Sequence, residues 1–382
     1  MSTIGASAHA SATIVGIGTA VPEHAVEQER VREVVEALFG SDVPNLTRLL
    51  GVFDHGHIRR RHFMQAPEWY AHERGFAALN AAYIEAALML SVQATQRALD
   101  DAGMKPADVD AVIVASTTGI ATPSIDALLM LALQIPSNAV RVPVFGLGCA
   151  AGVAGLARAS ELCEARRSKC TVFVAVEICS ATFQRRDISK SNLVGTSLFA
   201  DGAAAVVLST NAPSLTPTAS SASPPPSASP FALRGNTITV RNGFSTLFPD
   251  TEDIMGWDIQ DSGFAVRFSR DIPAFVVEHM RGVVDDACAH WNLSRNEIGD
   301  YVTHPGGAKV MAAYAEALAV PVETFGYAID VLRDYGNMSS ATVLFVLERM
   351  LKDPDFKWKS RYAMMSSLGP GFSAEQLLLE VA

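Results

Sequence analysis

The chain has 382 residues, 49% of them hydrophobic, with a mean hydropathy of +0.20 and a formal net charge of -10. That length and apolar content bury a large core in one large or two closely packed domains and exclude a wholly disordered chain. An acidic balance, with pI near 5.4 and no long basic run, argues against a nucleic-acid surface or an anionic-membrane patch and points to a small molecule or another protein as partner.

The five cysteines, at 149, 163, 170, 179 and 288, are odd in number and contain no CxxC pair. They suggest neither a disulfide framework nor a zinc ribbon, and reduced thiols fit a cytoplasmic location. Residues 1–11 are Ser/Ala-rich without the charge-then-apolar pattern of a secretory signal, and read as a disordered lead. The strongest apolar run, residues 127–135, is too short to span a bilayer, so no integral membrane segment is expected.

In chain order, residues 12–18 read as a first strand and 26–39 as an amphipathic helix. Next comes His55-Gly56-His57-Ile58-Arg59-Arg60-Arg61-His62, where two histidines lack further ligands at metal spacing and three arginines make a solvated face or an anion site. Residues 81–101 form a long helix closed by Gly103, and 109–116 a buried β-branched strand ending in Thr117-Thr118-Gly119. Residues 123–133 read as a helix, and 139–145, 171–176 and 202–209 as strands, an alternation that buries a mostly parallel sheet under helices. Residues 211–230 are nearly all Ser, Pro, Ala and Thr and read as a flexible insertion. It separates a half at 12–210 from a half at 231–382.

The strand at 139–145 delivers Gly146-Leu147-Gly148-Cys149-Ala150-Ala151-Gly152 to the start of a small-residue helix. Free N–H groups and the helix dipole there favour an anion, so Cys149 is a candidate nucleophile, expected to have a depressed thiol pKa; a small buried thiol is the ordinary alternative. The second half repeats this grammar. Asp285 echoes Asp100 at an offset of about 185, and Gly336-Asn337 entering residues 338–344 echoes Gly148-Cys149 at about 188. If the halves pack about a pseudo-twofold axis, Cys149 and Asn337 occupy equivalent helix starts, and His304, which ends a strand before Pro305-Gly306-Gly307, reaches the same place. Cys, His and Asn together suit thioester chemistry: a thiol to accept an acyl group, and N–H donors to stabilise an enolate or oxyanion.

The blocks Thr303-His304-Pro305-Gly306-Gly307, Tyr335-Gly336-Asn337 with 338–344, and Gly369-Pro370-Gly371-Phe372 resemble the signatures of type III polyketide synthases, the chalcone synthase superfamily. The resemblance runs from about Ile14 to Leu379, the Ser/Pro-rich insertion excepted. It implies an α/β chain with a thiolase-type fold, five-layered αβαβα and built from two similar halves, working as a homodimer without a cofactor or metal. Cys149 would carry the acyl group as a thiolate paired with His304, while His304 and Asn337 hold the malonyl thioester during decarboxylation. The substrates implied are acyl-CoA and malonyl-CoA, so Arg59, Arg60 and Arg61, with Lys309, become candidates for the CoA phosphates.

By the family's pocket pattern, Phe199 is a gatekeeper, Val266 replaces a second gatekeeper phenylalanine, and Thr117, Thr118, Cys179, Thr182, Trp257 and Ser339 line the cavity. The segments 255–258, 269–273 and 189–196 look most like bacterial alkylresorcinol and alkylpyrone synthases, which extend long fatty acyl starters. Tetrahydroxynaphthalene synthases carry a second cysteine where Thr117 stands. Ser367-Leu368 departs from the family's Gly-Phe. Two other readings use the same residue types: a β-ketoacyl synthase of the initiating kind, and a cysteine hydrolase of thioesters.

Overall fold

Apolar β-branched runs set the frame. The computed structural model describes residues 11–40, 46–211 and 237–382, so the lead and the insertion lie outside the described residues apart from Ser11 and Asn211. The first half runs β1 (Thr13–Ala20), β2 (His24–Glu27), α1 (Gln28–Phe39), α2 (Leu46–His55), β3 (Arg60–Phe63), α3 (Phe76–Ala102), β4 (Ala111–Ala115), α4 (Ile125–Leu133), β5 (Val140–Val144), α5 (Ala151–Arg166), β6 (Thr171–Ile178), α6 (Lys190–Leu198) and β7 (Asp201–Ser209). The second runs β8 (Ile238–Leu247), β9 (Met255–Gln260), β10 (Gly263–Phe268), α7 (Ile272–His290), β11 (Ile298–Thr303), α8 (Ala308–Leu318), α9 (Gly326–Tyr335), α10 (Thr342–Lys352), β12 (Tyr362–Gly369) and β13 (Ser373–Val381). The helix expected from residue 26 starts two residues later, because Val26 pairs with Arg61 in the antiparallel β2–β3 ladder.

Nine strands are linked in the order β11-β12-β13-β8-β1-β7-β6-β4-β5. The expectation of a mostly parallel sheet is corrected: β4–β5, β4–β6 and β11–β12 are parallel, while β1–β7, β1–β8, β6–β7, β12–β13 and β8–β13 are antiparallel. Strands β6 and β7 are buried along their whole length, as strands covered on both faces must be. The order β4-β6-β7-β1 in one half matches β11-β12-β13-β8 in the other, with β5 the extra edge.

Helices α5 and α10 pack against strands of both halves and form the central layer; α3 covers β1, β6 and β7 on one outer side, and α7 and α8 pack together on the other. This is the αβαβα arrangement. The two central helices meet closely: a Cβ at Gly152 of α5 would fall 2.2 Å from the Ser340 carbonyl, so only glycine fits. Helix α3, 27 residues long, has the length and apolar content of a membrane span, which the short run at 127–135 did not reveal; here its Leu90, Ala94, Ala98 and Leu99 pack into the core.

Candidate active site

Each central helix is preceded by a 3-10 turn, Gly148–Ala150 before α5 and Ser339–Ala341 before α10, and these turns bring Cys149 and Asn337 together. Gly148 has φ +49°, and a Cβ there would meet Pro370 at 2.7 Å, so the Gly-Cys pair is needed to seat the thiol against the Gly369-Pro370-Gly371 segment. His304 follows β11, its N–H donating to the Ser366 carbonyl at 2.8 Å. Cys149, His304 and Asn337 line one small cavity of about 20 Å³, with Phe268, Leu368 and Phe372 among its apolar walls.

The polar contacts orient two of the three. The Ser339 N–H donates to Asn337 Oδ1 at 2.8 Å, and Asn337 Nδ2 donates to the Gly306 carbonyl at 3.3 Å, which fixes the amide's orientation and leaves a second N–H on Nδ2. Cys149 Sγ lies 3.4 Å from Ser339 Oγ, and Ser367 Oγ donates to the Cys149 carbonyl at 2.7 Å. Both ring nitrogens of His304 are buried and have no protein partner among the described residues. Buried polar atoms without partners are costly, and His304, which lines the cavity, has one donor and one acceptor nitrogen to offer a ligand there when neutral.

The expected depression of the thiol pKa is corrected. Burial pushes Cys149 up to about 12, opposed by the Ser339 contact, and burial pushes His304 down to about 3. An apolar enclosure solvates neither a thiolate nor an imidazolium, and the thiol's hydrogen-bond partner is Ser339 rather than His304. Burial thus favours the neutral form of both groups.

Glu177, near the end of β6, escaped sequence reading. It is completely buried and burial raises its pKa to about 7, although Oε2 accepts from Thr117 N–H at 3.0 Å and Thr118 Oγ1 at 2.9 Å and Oε1 accepts from Ser340 Oγ at 2.6 Å. Thr117 Oγ1 in turn accepts from Gly148 N–H at 3.1 Å. One carboxyl thus ties the loop after β4 to the turns that carry Cys149 and Asn337. The signal was present: a lone acid in an otherwise apolar strand needs a reason.

The expected cavity residues divide. Cys179, Thr182, Phe199 and Val266 line a second, apolar chamber of about 80 Å³. Thr117 and Thr118 join the Glu177 network, and Ser339 touches the thiol. Trp257 backs Phe199, its ring 6.0 Å away, and pairs with Val266 in the β9–β10 hairpin.

The expected CoA residues divide also. Lys309 lines a cleft of about 470 Å³ that shares Phe268, Ile272, Gly306 and Val310 with the Cys149 cavity and is therefore its mouth. None of the three arginines lines that cleft, and the burial of Arg61 corrects its placement as a phosphate ligand. Arg59 pairs with Asp334 at 3.3 Å, and Arg60 buries its Nε. Arg61 is 1% exposed, its Nε donating to Gln28 and its Nη1 to the carbonyls of Thr196 and Phe199; burial lowers its pKa to about 9. The cations that do accompany Lys309 are Arg48, Lys190 and Arg270, drawn from separate segments, so no local run announced them.

The chain matches the N-terminal domain pattern of chalcone and stilbene synthases over residues 2–212 and the C-terminal domain pattern over 239–382. It is 37% identical over 372 residues to a Bacillus subtilis protein provisionally assigned as a chalcone synthase, covering 96% of this chain and 98% of the relative. It is also 37% identical over 374 residues to a 1,3,6,8-tetrahydroxynaphthalene synthase of Streptomyces peucetius, covering 96% and 92%. The crystal structure of the tetrahydroxynaphthalene synthase of Streptomyces coelicolor aligns with a TM-score of 0.85 at 28% identity, over 96% of this chain and 99% of that one.

Proposed function

We propose, from the premise that this chain belongs to the chalcone and stilbene synthase family and is a type III polyketide synthase, that it extends a long-chain fatty acyl starter to an alkylpyrone or alkylresorcinol. The enzyme is an acyltransferase with acyl-CoA and malonyl-CoA as substrates. In this reading it acts as a cytoplasmic homodimer and needs no cofactor or metal, as the family resemblance implies.

The observation that carries the mechanism is the meeting of Cys149, His304 and Asn337 on one small cavity. The Cys149 thiol, giving its proton to His304, attacks the starter thioester; the CoA thiolate leaves and takes that proton, and the acyl group stays on sulfur. Malonyl-CoA then places its thioester oxygen between an N–H of His304 and the Asn337 amide. A neutral imidazole suits this role, since it donates one N–H without carrying a charge into an apolar site. Loss of CO2 leaves an enolate whose negative charge falls on that oxygen, where the donors already stand. The enolate carbon attacks the acyl carbon, forming the carbon–carbon bond, and Cys149 departs as thiolate.

Support for a long starter comes from the apolar chamber behind Phe199 and from Val266, a small residue beside that gate. Incubating the purified chain with malonyl-CoA and acyl-CoAs from acetyl to stearoyl, with products read by mass, tests the reading. Triketide and tetraketide pyrones or resorcinols from long starters are expected. Polyketides from short or aromatic starters alone would overturn the choice of starter.

A further inference from the structure

Arg61 is among the largest fully buried side chains of the molecule, and its polar contacts converge on the end of one helix. Helix α6 ends at Leu198, and Phe199 continues in extended backbone rather than in the left-handed conformation that closes many helices. The Phe199 N–H donates to the Gly195 carbonyl at 2.8 Å, which leaves the carbonyls of residues 196 to 199 to find partners outside the helix. Each of them finds one. Arg61 Nη1 donates to the carbonyls of Thr196 at 2.6 Å and Phe199 at 2.7 Å, Gln28 Nε2 donates to that of Ser197 at 2.8 Å, and the Asn337 N–H donates to that of Leu198 at 2.9 Å.

The partners are themselves joined. Arg61 Nε donates to Gln28 Oε1 at 2.9 Å, so the arginine and the glutamine form one cap. A guanidinium carries the charge that a helix C-terminus favours, and its fixed fork serves several acceptors at once. Asn337 is bound in both directions: besides its N–H to Leu198, its carbonyl accepts from the Ala200 N–H at 2.9 Å, a parallel bridge centred on Phe199. The chain enters that bridge through Gly336, whose φ is +76° and where a Cβ would fall 2.7 Å from Arg61 Cγ. The stem of Arg61 therefore packs on the residue before Asn337 while its head holds the segment that Asn337 pairs with.

We infer that Arg61 is a positioning residue: with Gln28 it holds residues 196 to 200, and that segment sets the backbone of Asn337 so that its amide stands where the enolate oxygen forms. The inference rests on the synthase reading and adds a residue that acts through Asn337 rather than on the substrate. A group misplaced by about 1 Å can cost about a hundredfold in rate, so a loosened cap is felt in the step that needs Asn337. Cys149 stands on the turn before α5, and its contacts with Ser339 and Ser367 do not pass through Arg61. Acyl transfer is accordingly spared.

The test measures two half-reactions in wild type, Arg61→Gln, Arg61→Lys and Gln28→Ala: CO2 release from malonyl-CoA with no starter present, and single-turnover CoA release from an acyl-CoA starter. Arg61→Gln is expected to lower kcat for CO2 release by about ten- to a hundredfold, with KM for malonyl-CoA within about twofold and starter CoA release within about threefold. Arg61→Lys, which keeps a cation and donors for the two carbonyls, should lie between Arg61→Gln and wild type, and Gln28→Ala should lose about threefold in CO2 release alone. If Arg61→Gln does not fold, Gln28→Ala decides alone. Equal losses in both half-reactions, which a merely structural role gives, overturn the inference; so does a rise in KM at unchanged kcat, or CO2 release at the wild-type rate. A wild-type protein that releases no CO2 from malonyl-CoA overturns the synthase reading itself.

Discussion

Cys149 and His304 show how burial, rather than a partner, sets protonation in this site. For His304 the folded-state pKa near 3 lies below the ordinary 6.5, so as pH falls the unfolded chain takes a proton that the folded chain refuses. Its contribution to stability is full above about pH 6.5 and drains away toward pH 3, at most about 1.4 kcal/mol per pH unit. Buried Glu177 and Asp201, raised to about 7 and about 6, act in the opposite sense, their stabilisation being lost as pH rises through those values. The difference between wild type and His304→Gln isolates the histidine: in urea unfolding between pH 4 and 7, wild-type stability minus variant stability should fall as pH is lowered below about 6.5, and parallel profiles would contradict a neutral buried His304. Cys149 was legible from its helix start and His304 and Asn337 from their blocks, but the thiol's true environment was not. Its walls come from Phe268, Leu368 and Phe372, far apart in the chain. Arg61 was misplaced for a related reason: a run of three arginines looks solvated until one learns that β3 pairs with β2 and buries its last three residues.

Most helices and strands were readable because hydrophobic periodicity is local, while strand direction was not. The sequence shows β6 and β7 as apolar runs, but their antiparallel pairing follows from the connection through α6 keeping the chain at one end of the sheet, so that Ile178, the last residue of β6, lies opposite Asp201, the first of β7. The mouth of the site is an assembly of the same kind. Arg48 lies on α2, Lys190 on α6, Arg270 just before α7 and Lys309 on α8, and together they ring the cleft above Cys149. Being exposed to solvent, they would act on a bound polyanion through a screened field rather than through tight pairs. Replacing Arg48, Lys190 and Arg270 together by alanine should raise KM for acyl-CoA by roughly tenfold at low salt and less at high salt. Acyl-pantetheine thioesters, which lack the nucleotide phosphates, should show no such change. An equal effect on both substrates would place the CoA phosphates elsewhere.

In the whole molecule, neither half is a complete active site. The first supplies Cys149 at the start of α5, the second supplies His304 after β11 and Asn337 before α10, and Glu177 reaches from the first half to Ser340 of the second. The repeated helix starts made this meeting readable; the joining of the halves through β1 and β8, and the central layer of α5 and α10, appear only in three dimensions. In the proposed mechanism the division of parts also divides the chemistry, acyl transfer falling to Cys149 and enolate stabilisation to His304 and Asn337. Measuring CO2 release from malonyl-CoA alongside polyketide formation separates the two. Cys149→Ala should still release CO2 but form no carbon–carbon bond, whereas Asn337→Ala should lose both by about 10²–10³-fold. A Cys149→Ala protein that still makes polyketide, or a wild-type protein that only releases free acid and CoA from its starter, would contradict the account.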